Sequence, residues 1–170
     1  MSLPEIKLPG GQRVSLRPEA ADDTPLLFQL YASTREDELA LTGWDAATCE
    51  RFLQSQFNAQ RVGYRSQFPE GEFDIVLLDS VPTGRIVLNQ TAHEIRLVDI
   101  VIAPSARNRG LGSALTQAVL DEAAKQNKPV RLHVIRHSPA VRLYQRFGFN
   151  KINEDGFHDE MECRPSAMKI

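Results

Sequence analysis

The spacing of apolar side chains changes along the chain, and each change marks a different kind of element. Gln12 to Arg17 alternates, with Val14 and Leu16 on one side, and predicts a first strand. Asp23-Thr24-Pro25 reads as a helix start, a capping side chain followed by proline in the first turn. Leu26, Leu27, Leu30 and Tyr31 then share one helical face. The polar stretch Ser33 to Gly43 breaks that pattern, and Trp44-Asp45 opens a second helix with Cys49, Phe52, Leu53, Phe57 and Tyr64 on its stripe.

From Phe73 the period shortens. Phe73 to Leu78 and Arg85 to Asn89 predict strands around a turn at Asp79-Ser80-Val81-Pro82, and Gln90 to His93 forms another turn. Ile95 to Ile102 is the most apolar strand and belongs in the middle of the sheet. Gly110 to Gln126 returns to a helical period, with Leu111, Ala114, Leu115, Ala118 and Val119 inward. Pro129 to Ile135 is the next strand, and a strand-helix-strand unit of this length makes the two strands parallel. Pro139 sits in the first turn of a short helix through Arg146. Gly148 to Asn153 and Phe157 to Cys163 close the chain as a hairpin around Glu154-Asp155-Gly156. The expected architecture is α/β, a mixed sheet of about seven strands in the order β-α-α-β-β-β-α-β-α-β-β. A central parallel pair lies within one domain over residues 1–170, its core at 12–163.

A chain of 170 residues with 42% hydrophobic and 25% charged side chains suits a globular protein of that size. No apolar run approaches the roughly 20 residues of a membrane span, and the start Met1-Ser2-Leu3-Pro4-Glu5-Ile6 has neither a basic nor an apolar block. Cys49 and Cys163 have no metal or redox spacing, so a reduced cytoplasm is the expected compartment. The net charge of −2 is unevenly spread. Residues 105–151 carry nine basic and two acidic side chains, +7, which leaves −9 on the remainder. A basic third suits an anionic cofactor, and an acidic remainder attracts a cationic second substrate, unless these charges are merely solvated helix faces. Mild overall acidity without an aromatic-basic stripe argues against nucleic acid.

The basic third begins at a distinctive loop. The strand Ile95–Ile102 runs through Ala103-Pro104-Ser105-Ala106 into Arg107-Asn108-Arg109-Gly110-Leu111-Gly112 and then a helix. Backbone N–H groups gathered at a positive helix end bind phosphate or pyrophosphate. A P-loop needs a lysine before its Ser or Thr, but Ser113 follows Gly112 directly. A dinucleotide fingerprint needs a third glycine near 115 and an acidic residue ending the next strand. This chain has Leu115 and Ile135-Arg136-His137 there.

Arg107-x-x-Gly110-x-Gly112, followed by Ser138-Pro139-Ala140-Val141-Arg142-Leu143-Tyr144-Gln145-Arg146-Phe147-Gly148-Phe149, resembles the GNAT superfamily of acyl-CoA-dependent N-acetyltransferases. The resemblance covers about residues 12–163 and is most specific from Asp99 to Phe149. It implies that Arg107, Asn108, Arg109, Gly110, Leu111, Gly112 and Ser113 wrap the pyrophosphate of acetyl-CoA, with no metal. It also implies that the backbone of Ile100, Val101 and Ile102 pairs with the pantetheine arm, and that Tyr144 is catalytic, standing near the sulfur to lend a proton to the departing thiolate. Many relatives carry an asparagine just before the Pro-Ala; here His137 and Ser138 stand there, with Ser138 the expected substitute for its hydrogen bond.

The reaction so implied is acetyl transfer to a primary amine of a small molecule or peptide, by direct attack in a ternary complex. A non-catalytic acyl-CoA sensor, or an acyltransferase with another donor or acceptor, is the alternative, and a homodimer is an allowed assembly. An amine of lysine-like pKa, about 10.4, is almost wholly protonated at neutral pH, so a base is required. Asp99, which interrupts an apolar strand, is the first candidate and Glu94 the second. Asp99 has an equally good structural reading, satisfying a buried polar neighbour such as His133. By strand period Glu94 and Asp99 share a face only if a bulge shifts the phase. In the superfamily the acceptor pocket is shaped by the first two helices, their loop and the final hairpin. Glu36, Asp37 and Glu38 would there draw in a cation, and Trp44 would form a wall or staple the second helix.

Overall fold

In the computed structural model, which describes Met1 and residues 3–165, the alternating segments form one eight-stranded sheet. The strands are β1 (Ile6–Lys7), β2 (Arg13–Pro18), β3 (Glu72–Leu78), β4 (Val81–Gln90), β5 (Ile95–Ile102), β6 (Val130–Ile135), β7 (Asn150–Glu154) and β8 (His158–Cys163). They lie in the order β1-β2-β3-β4-β5-β6-β8-β7, and every neighbouring pair is antiparallel except β5–β6. The helices are α1 (Thr24–Ser33), α2 (Glu36–Ala40), α3 (Ala46–Gln67), α4 (Leu111–Lys125) and α5 (Pro139–Arg146).

The α/β class and the parallel central pair agree with expectation; the strand count is eight, not seven. The extra strand, β1, is two residues long and too short to show a period. The extra helix, α2, buries none of its five residues and so has no apolar stripe. The β3–β4 hairpin is tighter than the four-residue turn the sequence suggests. Asp79 and Ser80 both take positive φ, 49° and 69°, which matches the twist of the flanking strands and lets β4 begin at Val81.

Two apolar clusters sandwich the sheet. On one face Leu111, Leu115, Val119 and Ala123 of α4 meet Ile86, Leu88, Ile95, Leu97 and Leu132. On the other Leu27 and Tyr31 of α1 and Phe57 of α3 meet Ile75. Phe57 is the one fully buried residue of α3; Phe52, expected inward, is exposed and packs edge-on against Trp44 at 5.4 Å. No helix among the described residues is long and apolar enough to cross a membrane.

Two irregularities in β5 set up the site. Leu97 pairs with Leu88 and Asp99 with Val87, so Val98 is an extra residue, a β-bulge. Before it Ile95 and Leu97 point to the α4 cluster; after it Ile100 and Ile102 do. The bulge therefore places Asp99 on the same face as Glu94 and Arg96, away from α4. The second irregularity lies on the other side of the strand. β5 pairs with β6 only over Ile95–Leu97, whereas β6 continues along β8 to Ile135. Beyond Leu97 the two central strands part, and the backbone of residues 98–102 has a free edge inside the sheet.

Candidate functional site

At the end of β5 a 3-10 turn (Pro104–Ala106) leads into α4. Asn108 and Gly110 take left-handed φ of 59° and 82°, the second suited to glycine, and no side chain caps the helix. The first N–H groups of α4, at Leu111, Gly112 and Ser113, have no partners within the helix, and the fourth turns back to Gly110 O at 2.9 Å. A Cβ placed on Gly110 or Gly112 meets nothing within 4 Å, so both glycines face open space before a positive helix end. The residues present fit a diphosphate. Arg107 is partly engaged: its Nε donates to Ile102 O (3.0 Å) and its Nη2 to Ser33 Oγ (2.9 Å).

Tyr144 is placed by the way α5 ends. Gly148, with φ 86°, lets its own N–H reach Gln145 O (3.0 Å) and that of Phe149 reach Tyr144 O (3.1 Å), the paired bonds of a Schellman cap. The accompanying apolar contact is Phe149 edge-on against the Tyr144 ring at 5.5 Å. Burial, reinforced by the negative charge of Asp99, pushes the Tyr144 phenol up to about 12. Ser138 caps α5, accepting from Ala140 N at 3.2 Å.

Across the sheet, between α1, α3 and the parted strands, lies a cleft of about 710 Å³. Asp99 opens into it, and its partner is not His133. Arg85 of β4 donates from Nε (3.1 Å) and Nη2 to Asp99 Oδ2, and Nη2 also reaches Gln60 Oε1 (3.1 Å). Asp99 Oδ1 accepts no hydrogen bond among the described residues and is not a buried orphan. Tyr64 lies under the guanidinium, 5.8 Å from its ring centroid. Burial first, then the charge of Asp99, drives its phenol up to about 12.

Glu94 is differently placed. Its two oxygens accept from Arg96 Nε and Arg131 Nη1, both at 2.9 Å, in a ladder of ion pairs that continues to Glu160 and Glu162. His133 belongs to the same ladder through Arg96, 3.2 Å from its Nδ1. Of the residues expected on the acceptor side Glu38 lines the cleft, whereas Glu36, Asp37 and Trp44 do not. Arg85, Gln60 and Tyr64 are the members that sequence reasoning did not assign. A lone arginine within the apolar run Gly84–Leu88, one hairpin away from a lone aspartate in β5, was the available signal.

Residues 32–169 match the sequence model of the acetyltransferase (GNAT) domain. The chain belongs to the GNAT acetyltransferases. No curated protein matches it. Among solved structures it is similar to the PaiA N-acetyltransferase of Thermoplasma acidophilum in complex with coenzyme A, at 21% identity and TM-score 0.65, covering 89% of this chain and 98% of that one. It is also similar to Ard1 of Thermoplasma volcanium (22%, TM-score 0.59, 88% and 96%) and to FdhC, a nucleotide-linked sugar GNAT (14%, TM-score 0.67, 96% and 90%). At such identities the likeness is one of fold. The free edge of β5 runs from Val98 and Asp99, which line the cleft, to Ile102, after which the chain enters the glycine loop.

Proposed function

We propose that this GNAT protein moves an acetyl group from acetyl-CoA to a primary amine of a small molecule or peptide by direct attack within a ternary complex. The observation that carries the reading is the gap. It joins an open helix start to a cleft that holds a carboxylate oxygen with no protein partner. Acetyl-CoA supplies the acyl thioester. The loop from Arg107 to Ser113 holds its diphosphate through backbone N–H groups, and Ile100, Val101 and Ile102 offer their free edge to the amide-bearing arm. Ser138, already capping α5, orients the turn beside it.

Asp99 Oδ1 takes a proton from the incoming ammonium while Arg85 holds Oδ2, so the carboxylate keeps one fixed and one working oxygen. Glu94, with both oxygens on guanidinium groups, holds Arg96 at the cleft wall and is the second choice as base. Tyr144 at about 12 stays a neutral phenol. Full proton transfer from it to a thiolate of pKa about 8.5 is uphill, so its part is to donate a hydrogen bond to the sulfur as charge develops there.

The test is release of CoA thiol on adding amines to protein and acetyl-CoA. Tyr144→Phe is expected to lower the turnover rate by about 10²–10³ while calorimetry gives unchanged acetyl-CoA affinity. Asp99→Asn is expected to lose most rate at neutral pH and regain part of it as free amine accumulates at higher pH. Binding without thiol release for any amine would make the protein a sensor. Full activity of Tyr144→Phe would leave that ring a packing residue.

A further inference from the structure

The cleft's charged groups differ in what they leave free. Three guanidinium groups stand in or behind it, and each already has a carboxylate. Arg85 is on Asp99. Arg96 is bound in three directions, to Glu94 (2.9 Å), His133 (3.2 Å) and Glu160 (3.2 Å). Arg35 is on Glu38 at 2.8 Å. Three carboxylate oxygens of the lining remain without hydrogen bonds among the described residues, Asp99 Oδ1, Glu38 Oε1 and Asp155 Oδ2. The walls between them are aromatic, formed by Tyr31, Tyr64 and Phe68.

An ammonium entering this space finds acceptor oxygens for the hydration it loses. A carboxylate finds no cation without a partner, and near Asp99 it meets a like charge. Desolvating an unpaired charge is among the costliest events in binding, and such mismatches discriminate strongly between otherwise identical ligands.

We infer that the acceptor is a cationic amine with no carboxylate close to its reacting nitrogen, and that the cleft excludes free α-amino acids by leaving them no guanidinium. The inference rests on the acetyl-transfer reading of the same site. Arg35 is the point where it is most exposed to challenge. Its pair with Glu38 is largely open to solvent, 39% and 62% exposed at the two side chains. Such pairs are weak, so a ligand carboxylate has its best chance of recruiting a cation there.

The experiment compares acceptors that differ only in the acidic group and carry a single reactive amine: tyramine with tyrosine, agmatine with arginine, histamine with histidine. Thiol release is followed with saturating acetyl-CoA. Tyrosine methyl ester serves as a third member of the first series, because it keeps the bulk and removes the charge. For the turned-over skeletons the amine is expected to exceed its amino acid in kcat/KM by at least about thirtyfold, with the ester close to tyramine where that series is used. Glu38→Gln, which frees Arg35, is expected to narrow the gap by about tenfold. Amino acids used within about threefold of their amines overturn the inference while leaving acetyl transfer standing. An ester as poor as tyrosine beside an active tyramine also overturns it, because bulk and not charge is then rejected. No thiol release with any of the compounds overturns both readings together.

Discussion

The pair Arg85–Asp99 allows a test that separates a structural carboxylate from a working one. Arg85 has a side chain only 5% exposed, and Asp99 on the cleft side is 23% exposed. Asp99→Asn leaves a buried guanidinium with no counter-charge. Breaking a buried pair by removing one partner costs roughly 3–5 kcal/mol, and partial hydration through the cleft brings the expectation here to about 2–3 kcal/mol. Arg85→Met strands the better-hydrated partner and is expected to cost about 1–2 kcal/mol. In the double variant Arg85→Met/Asp99→Asn neither charge is left alone, so the losses should not add. A coupling of about 2 kcal/mol is expected from urea unfolding followed by circular dichroism with unchanged slope. Turnover is then read on the same three proteins. A base at Asp99 predicts that the double variant recovers about 2 kcal/mol relative to the sum of the single losses and none of the rate. Additive losses, with coupling under about 0.5 kcal/mol, would refute the pairing argument. Recovery of rate together with stability would refute the catalytic one.

Gly112→Asp should leave the melting temperature nearly unchanged, because the added side chain enters open space, yet abolish acetyl-CoA binding in calorimetry by setting a carboxylate before the helix start. Gly84→Ala should destabilise by about 1–3 kcal/mol, since its Cβ would stand 2.5 Å from Val101 O and 2.9 Å from Ile102 Cδ1. Acetyl-CoA affinity should fall with it as the end of β5 is displaced, and a wild-type melting curve would sink this. Asp23 is held at about 2, below its ordinary 3.8, chiefly by hydrogen bonds from the Arg17 guanidinium. Its contribution is therefore full above pH 3.8 and is lost as pH falls through about 2. Asp23→Asn should melt lower at pH 7, by about 1–2 kcal/mol, with the difference closing in acid, and an undiminished gap there would count against the ion pair.

The longer strands, the helix after the glycine loop and the closing hairpin around Glu154-Asp155-Gly156 were legible because each is a local agreement of period, cap and turn residue. Asp23 shows the limit of that reading. It stands at a helix start, as its type suggests, but its carboxylate binds Arg17 and Ala20 N and caps nothing in α1. Which donor wins the carboxylate is decided by β2 lying within reach, a tertiary fact. The bulge at Val98 was hidden by composition: β5 is apolar at so many positions that a phase change leaves little trace. Asp99 was found as an exception in that strand, whereas its partner Arg85, the matching exception in β4, became meaningful only once the two strands were set side by side. Glu94, which looks like a turn residue in sequence, is held by arginines from two strands.

Arg107 ties together parts of the molecule that otherwise have separate duties. One guanidinium joins the carbonyl that ends β5 to the hydroxyl of Ser33, the last residue of α1, and Thr34 and Arg35 on the cleft wall follow directly. An anion that draws Arg107 toward the glycine loop must compete with both bonds, so part of its binding energy is spent on releasing α1. The converse holds with equal force. Whatever steadies Thr34 and Arg35 also steadies Ser33, and so changes how readily Arg107 can leave. Linkage makes the two effects equal in size. How strongly the glycine loop and the cleft wall would feel each other's occupants is thus set partly by a single arginine on the loop.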